Sequence, residues 1–170
     1  KQKIIHILGE HVVSIERFKL DTPSFFGPRL EKIKNSLLPG YLLLPIDLEI
    51  ATEIVKTKSS FAADHVSQFG NAVQFIKYGF GFCVLHNSEI VSIASTFAVS
   101  SCGIEIQINT LPGERRKGLA SAVAAALILN AVDRGLEPHW DAANHESIKL
   151  AQKLGYLNPY AYEALVRIKQ

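Results

Sequence analysis

A chain of 170 residues fits one domain, or one domain with an appendage. Hydrophobic residues make up 48% and charged residues 20%, an ordinary globular balance with enough apolar mass for a core. The net charge of +2 excludes a polyelectrolyte binder of nucleic acid, no apolar run reaches the length of a membrane span, and no signal peptide is visible.

The chain contains no methionine and begins with Lys1, the pattern of a fragment or of a chain whose natural start is missing. Residues 1–40 are therefore read as an N-terminal extension or the remnant of a larger N-terminal region. Ile4 to Phe18 is apolar-rich with mixed spacing and takes no assignment. Leu30, Ile33, Leu37 and Leu38 recur at helical spacing until Pro39-Gly40. From Tyr41 the pattern is plainer. Tyr41 to Leu44 reads as a strand, Asp47 as the N-cap of a helix through Lys56, and Phe61 to Lys77 as one or two helices broken near Gly70. Phe80 to Leu85 and Ile90 to Val99 form a hairpin about His86-Asn87-Ser88-Glu89. Ile104 to Thr110 is a third strand. Lys117 to Arg134 is the strongest helix, with Leu119, Val123, Leu127 and Ala131 on one face and Gly135 as its C-cap. Leu136 to Asp141 is a strand, Asn144 caps a helix from His145 to Leu154 that Gly155 stops, and Tyr156–Leu157 and Tyr160–Ile168 close the chain as strands. This order means an α/β domain with a mixed sheet.

The most informative stretch is Arg115-Arg116-Lys117-Gly118-Leu119-Ala120. It follows an apolar strand and the Pro112-Gly113 turn and opens the long helix. First-turn N–H groups lack intrahelical partners and the helix dipole adds positive charge there, so the stretch is an anion site flanked by three cationic side chains. A nucleotide P-loop fails, because Gly113 and Gly118 are too close and no Lys-Ser or Lys-Thr follows. A dinucleotide fingerprint fails, because only Gly118 is placed correctly. A solvated basic turn is the bland alternative.

The segment Ile108 to Ala120 resembles the signature of the GNAT N-acetyltransferase superfamily: an apolar strand, a proline turn, then [QR]-x-x-G-x-[GA], matched by Arg115, Gly118 and Ala120. Asn144 and Lys153-Leu154-Gly155-Tyr156 resemble its second motif. The likeness covers about Tyr41 to the C-terminus, so 41–170 is read as a GNAT-like acyl-CoA-binding domain. Gly79-Phe80-Gly81-Phe82-Cys83, the Arg-Arg-Lys-Gly loop, Pro138-His139-Trp140-Asp141 and Pro159-Tyr160-Ala161-Tyr162-Glu163 resemble a bacterial subgroup that includes zwittermicin A resistance-type acetyltransferases.

The resemblance implies a mostly antiparallel sheet splayed at two central parallel strands and flanked by helices. It also implies acetyl-CoA, or another acyl-CoA, as cosubstrate, without a metal. Amides from Arg116 to Ala120 would cradle the pyrophosphate, Gly118 would let the backbone approach, and Arg115, Arg116 and Lys117 would add charge, with Leu119 and Ala120 at the helix start. Backbone groups of Ile108 and Thr110 would pair with the pantetheine arm, and an amide near Thr110 or Leu111 would polarise the thioester carbonyl. Asn144 would bond the arm or its water, or simply cap its helix.

An alkyl amine is mostly protonated at neutral pH and must lose a proton to attack. Glu105 is the candidate base; a solvated or salt-bridged strand carboxylate is the equal alternative. The family's usual acid, a tyrosine two residues before Lys-Leu-Gly, is replaced by Ala151. Tyr160 or Tyr162 could take the role, or none is needed because a thiolate leaves readily.

Cys83 and Cys102 both lie in strand-like runs and read as buried reduced thiols, which suggests a cytosolic protein. His139, Asp141 and His145 lack diagnostic metal spacing. The reading is thus an acyl-CoA-dependent N-acyltransferase moving acetyl to a small-molecule amine, cytoplasmic, with no nucleic acid, membrane or metal partner and a homodimer compatible. The alternative is a non-catalytic acyl-CoA-binding sensor or partner module, which the missing helix tyrosine supports.

Overall fold

The computed structural model describes residues 12–24, 27–57 and 61–167. In chain order the elements are β1 (Val12–Asp21), α1 (Gly27–Lys34), β2 (Tyr41–Pro45), α2 (Leu48–Thr57), α3 (Ala63–Ser67) and α4 (Ala72–Tyr78). There follow β3 (Gly81–His86), β4 (Glu89–Val99), β5 (Gly103–Thr110), a 3-10 turn (Pro112–Glu114), α5 (Leu119–Asp133), β6 (Glu137–Ala142), α6 (His145–Leu154) and β7 (Leu157–Arg167). The strands form one sheet in the order β2-β3-β4-β5-β6-β1-β7. Only β5 and β6 run parallel; the other neighbours are antiparallel.

Local chemistry explains the expected elements. Asn87 and Ser88 both take positive φ, 51° and 65°, the shape of a two-residue hairpin turn matched to strand twist. Asn144 accepts from the Ser147 N–H at 2.9 Å, and Gly155 ends α6 at φ 113°. The glycine at the start of β5 has a different reason. A Cβ on Gly103 would sit 2.7 Å from the Glu137 carbonyl oxygen and 2.8 Å from His139 Nε2. Only glycine lets β5 and β6 meet this closely.

Helices cover both sheet faces. On one face α5 packs on the sheet through Leu119, Val123, Leu127 and Ala131 against Val84, Val91, Ala94 and Ile104. Its far side, Ala124, Ala125 and Ile128, meets Leu30 of α1 and joins Trp140, Leu154 and Tyr156 in a second cluster. So α5 is buried nearly all round, which is why it reads as apolar throughout. On the other face α2, α3 and α4 bury Ala51, Ile54, Val66 and Phe75 against Cys83 and Ile93. There His65 is fully buried, with Nδ1 2.7 Å from Ser95 Oγ, and burial drives its pKa down to about 4.

Within residues 1–40, read as an extension or a remnant of a larger region, β1 is an integral strand: it pairs with β6 on one side and β7 on the other, and α1 shields α5. Three expectations need correction. Leu37 and Leu38 lie past the end of α1 at Lys34. The two closing strands are one continuous β7. Cys102 is exposed in the turn before β5, because the chain must reverse there; Cys83 is buried, and burial pushes its thiol up to about 12. The stretch 4–11, with His6 and His11, and the strand end at Ile168 lie outside the described residues.

Candidate active site

The parallel ladder is short. It runs from Gly103 opposite Glu137 to Glu105 opposite His139 and then stops. Beyond it β6 turns to β1, pairing Trp140 with Leu20 and Ala142 with Phe18. β5 continues alone on that side while still pairing with β4 as far as Thr110. The Leu111 N–H donates to the Val91 carbonyl at 3.0 Å. Alternation in an antiparallel ladder therefore turns Asn109 and Gln107 toward β4, and turns the backbone groups of Ile108 and Thr110 toward the gap. The Thr110 carbonyl accepts from Arg115 Nε at 3.3 Å. Of the two amides expected to polarise the thioester carbonyl, that of Leu111 is taken by Val91, and that of Thr110 faces the gap.

Past Leu111 the chain makes the 3-10 turn and then a nest. Arg116 has φ 66° and Gly118 φ 83°. The first bond of α5 runs from the Ala122 N–H to the Gly118 carbonyl at 3.1 Å. No acceptor among the described residues takes the N–H groups of Arg116 to Ala120. Such an array at a helix start binds anions. A Cβ built on Gly118 meets nothing within 4 Å, so open space lies over the nest.

Lys117 is tied to two neighbouring side chains. Its Nζ donates to Glu114 Oε2 at 2.9 Å and to the Tyr41 hydroxyl at 3.0 Å, while Tyr41 donates to Glu114 at 2.7 Å. The bonds from Lys117 and Tyr41 hold the Glu114 carboxyl below its ordinary pKa. Arg116 is exposed and makes no ion pair among the described residues.

At the vertex of the splay, on the face opposite α5, lies a cavity of ≈ 250 Å³. Glu105, Glu137, His139, Asp141, Lys19 and Tyr160 line it. The period-2 alternation of β5, β6, β1 and β7 places these side chains on one face. Glu105 is half-buried. Burial raises its pKa above the ordinary value; His139 opposes the rise and Asp141 adds to it. Asp141 is occupied by Arg17 Nε at 3.1 Å and by the Tyr162 hydroxyl. Burial, reinforced by that bond, pushes the Tyr162 phenol up to about 12. His139 Nδ1 lies 3.7 Å from Glu137.

The geometry thus brings Glu105 and Tyr160 to one cavity, and Ile108, Thr110 and the 115–120 loop to one edge. Ala151 is fully buried in the core on the inner side of α6. Asn144 spends its side-chain carbonyl on the helix cap. Sequence reasoning missed Tyr41, Glu114, Lys19 and Glu137; only the i, i+3 spacing of Glu114 and Lys117 was a visible signal. Among the described residues no group of three or more His, Cys, Asp or Glu side chains is placed to hold a metal.

A splayed parallel pair followed by an anion nest is the architecture that the sequence resemblance implied. A model of the GNAT acetyltransferase family matches residues 1–165. The chain belongs to the GNAT acetyltransferase family. It is 34% identical over 134 residues to the uncharacterized N-acetyltransferase YdfB of Bacillus subtilis, covering 77% of this chain and 50% of that protein. A GCN5-related N-acetyltransferase-like protein from Streptococcus suis superposes with a TM-score of 0.87 at 35% identity, over 98% of this chain and 66% of that one. The GNAT chain thus spans about half to two thirds of these relatives' length. A predicted acetyltransferase from Clostridium acetobutylicum, solved with acetyl-CoA, shares the fold at a TM-score of 0.54 and 14% identity, over 69% of this chain and 90% of that one. No helix among the described residues is long and apolar enough to cross a membrane.

Proposed function

We propose that this GNAT domain is an N-acetyltransferase that takes its acyl group from acetyl-CoA and passes it to a small-molecule amine. One observation carries the reading: the amides at Arg116–Ala120 continue into the stretch of β5 that has parted from β6, and that edge leads back to the cavity holding Glu105. The amides, with Arg115 and Arg116, would hold the pyrophosphate, and Ile108 and Thr110 would pair with the pantetheine arm. Acetyl-CoA, when bound, supplies a thioester carbonyl activated for attack. The open space over Gly118 and the unpartnered donors fit that group.

Glu105 is positioned to take the ammonium proton of the acceptor. Its raised pKa moves it toward the range of a useful base. Tyr160, on the opposite wall of the cavity, is the candidate donor to the leaving thiolate. Carboxylates at Glu105, Glu137 and Asp21 favour a cationic acceptor over an anionic one. The likeness to the zwittermicin A resistance-type subgroup rests on sequence motifs, one of which, Pro138–Asp141, contributes His139, Trp140 and Asp141 to the lining of this cavity. A cytoplasmic enzyme working without metal or nucleic acid belongs to the same reading.

The second reading, an acyl-CoA sensor, is favoured by Ala151, whose buried methyl leaves no space for the family's usual acid. Calorimetry with acetyl-CoA and thiol release across an amine panel separate the two. Binding with turnover supports the enzyme. Binding without turnover on any amine supports the sensor, and no binding refutes both.

A further inference from the structure

The three cations of the phosphate loop do not stand in equivalent places. Arg116 is exposed, and Arg115 spends its Nε on the Thr110 carbonyl at 3.3 Å. Lys117 is closed into a triangle with Glu114 and Tyr41, whose sides are 2.9, 3.0 and 2.7 Å. Tyr41 lies on β2, pairs with His86 of β3 and stacks on its ring at 4.3 Å and 19°. His86 Nδ1 is 3.7 Å from the other Glu114 oxygen. The Tyr41 N–H donates to the Leu38 carbonyl at 3.2 Å, so the tyrosine is fixed at ring and backbone alike.

A carboxylate beside an anion site is adverse on charge alone. Its place here has another explanation. Between Glu114 and Gly118 the chain must hold Arg116 at φ 66°, a conformation a residue with a Cβ resists. Such a backbone persists where its surroundings over-determine it. The ties at Glu114 and Lys117 bracket Arg116 and anchor both ends of that bend to the sheet.

We propose that Tyr41 and Glu114 are positioning residues of the phosphate loop, and that Lys117 acts through them as a strut and not as a phosphate ligand. The proposal rests on the acyl-CoA reading for its effect on binding, but its effect on the loop is independent of any ligand. It inverts the expected sign of a charge removal. Were Lys117 a phosphate ligand, Glu114→Gln would delete a repulsive charge, free the lysine and tighten CoA binding. With Lys117 a strut, the same change loosens the nest and weakens binding, because a preorganised site loses its preorganisation.

The test uses the full chain with Glu114→Gln, Lys117→Met, Glu114→Gln/Lys117→Met and the milder Tyr41→Phe. CoA affinity is measured by calorimetry, and amide hydrogen exchange across 115–120 is measured without ligand. The expected result is about tenfold weaker CoA binding for Glu114→Gln and for Lys117→Met, with the double variant no weaker than either single one. Acyl-CoA KM rises while kcat is kept, and loop exchange quickens in each variant, including Tyr41→Phe. Tighter or unchanged CoA binding in Glu114→Gln, additive losses in the double variant, or unchanged loop exchange would overturn the proposal. If the unmodified chain binds no CoA, the functional reading fails, and the exchange measurement still decides the role of the triangle.

Discussion

Gly118 shows how a single backbone angle serves the site. At φ 83° it is in the left-handed region, yet an added Cβ would touch no protein atom. Gly118→Ala is expected to lose about 1–2 kcal/mol in urea denaturation through strain alone. It should lose more than that in CoA affinity by calorimetry, because the methyl enters the space over the nest. Glu105 gives a pH-dependent test. Its folded pKa is raised, chiefly by burial, so the ionised form is penalised in the native state. Below the unfolded value of about 4.3 both states are protonated and no penalty exists. Glu105→Gln should therefore raise the melting temperature at pH 7 and leave it nearly unchanged near pH 3.5. In kinetics it should remove the acid limb of kcat/KM that belongs to the base. His65 works in the opposite sense. With a folded pKa of about 4 against about 6.5 unfolded, the unfolded chain takes up a proton first as pH falls. The stability is fully present above pH 6.5 and drains away toward pH 4, on the order of 3 kcal/mol. Chemical denaturation from pH 7.5 to 4.5 checks the slope, and NMR of the imidazole should show it neutral until near pH 4.

At the scale of elements, α1 is a cover for α5 and not part of the site. Leu30 is 1% exposed and wedged against Ala124, Ala125 and Ile128. Leu30→Ala should cost about 2–5 kcal/mol of stability and leave CoA affinity unchanged, as read by denaturation and calorimetry on one preparation. Elements whose ends carry their own chemistry were legible in the sequence. Asn144 and Gly155 bound α6, Asn87 and Ser88 make the hairpin, and Gly118 opens α5. β1 was not, although Phe18 and Leu20 alternate with Arg17 and Lys19. Its partners lie more than a hundred residues away, and no local pattern names a distant neighbour. The same limit governed the site. The nest and the β5 edge are contiguous in sequence and could be read there. The Tyr41–Glu114–Lys117 triangle and the four-strand cavity are assembled only by topology.

At the scale of the whole molecule, the site depends on both halves of the sheet. β2 to β5 carry the nest and its struts, and β6, β1 and β7 carry the cavity's far wall. The two halves touch through the short ladder that Gly103 makes close. Removing residues 1–40 should leave β6 and β7 without the strand between them and α5 without its cover. The expected outcome is loss of near-UV circular dichroism and of a cooperative melt. A truncated chain that melts cooperatively near the intact one would contradict it. The place of β1 also bears on how the protein is made. The strand's partners at 137–142 and 157–167 are synthesised more than a hundred residues after it. At elongation rates of roughly 5–20 residues per second, β1 waits on the order of ten seconds for the two strands it pairs with. Over that interval a charged face, Arg17 and Lys19 alternating with Phe18 and Leu20, disfavours pairing of the waiting strand with other chains.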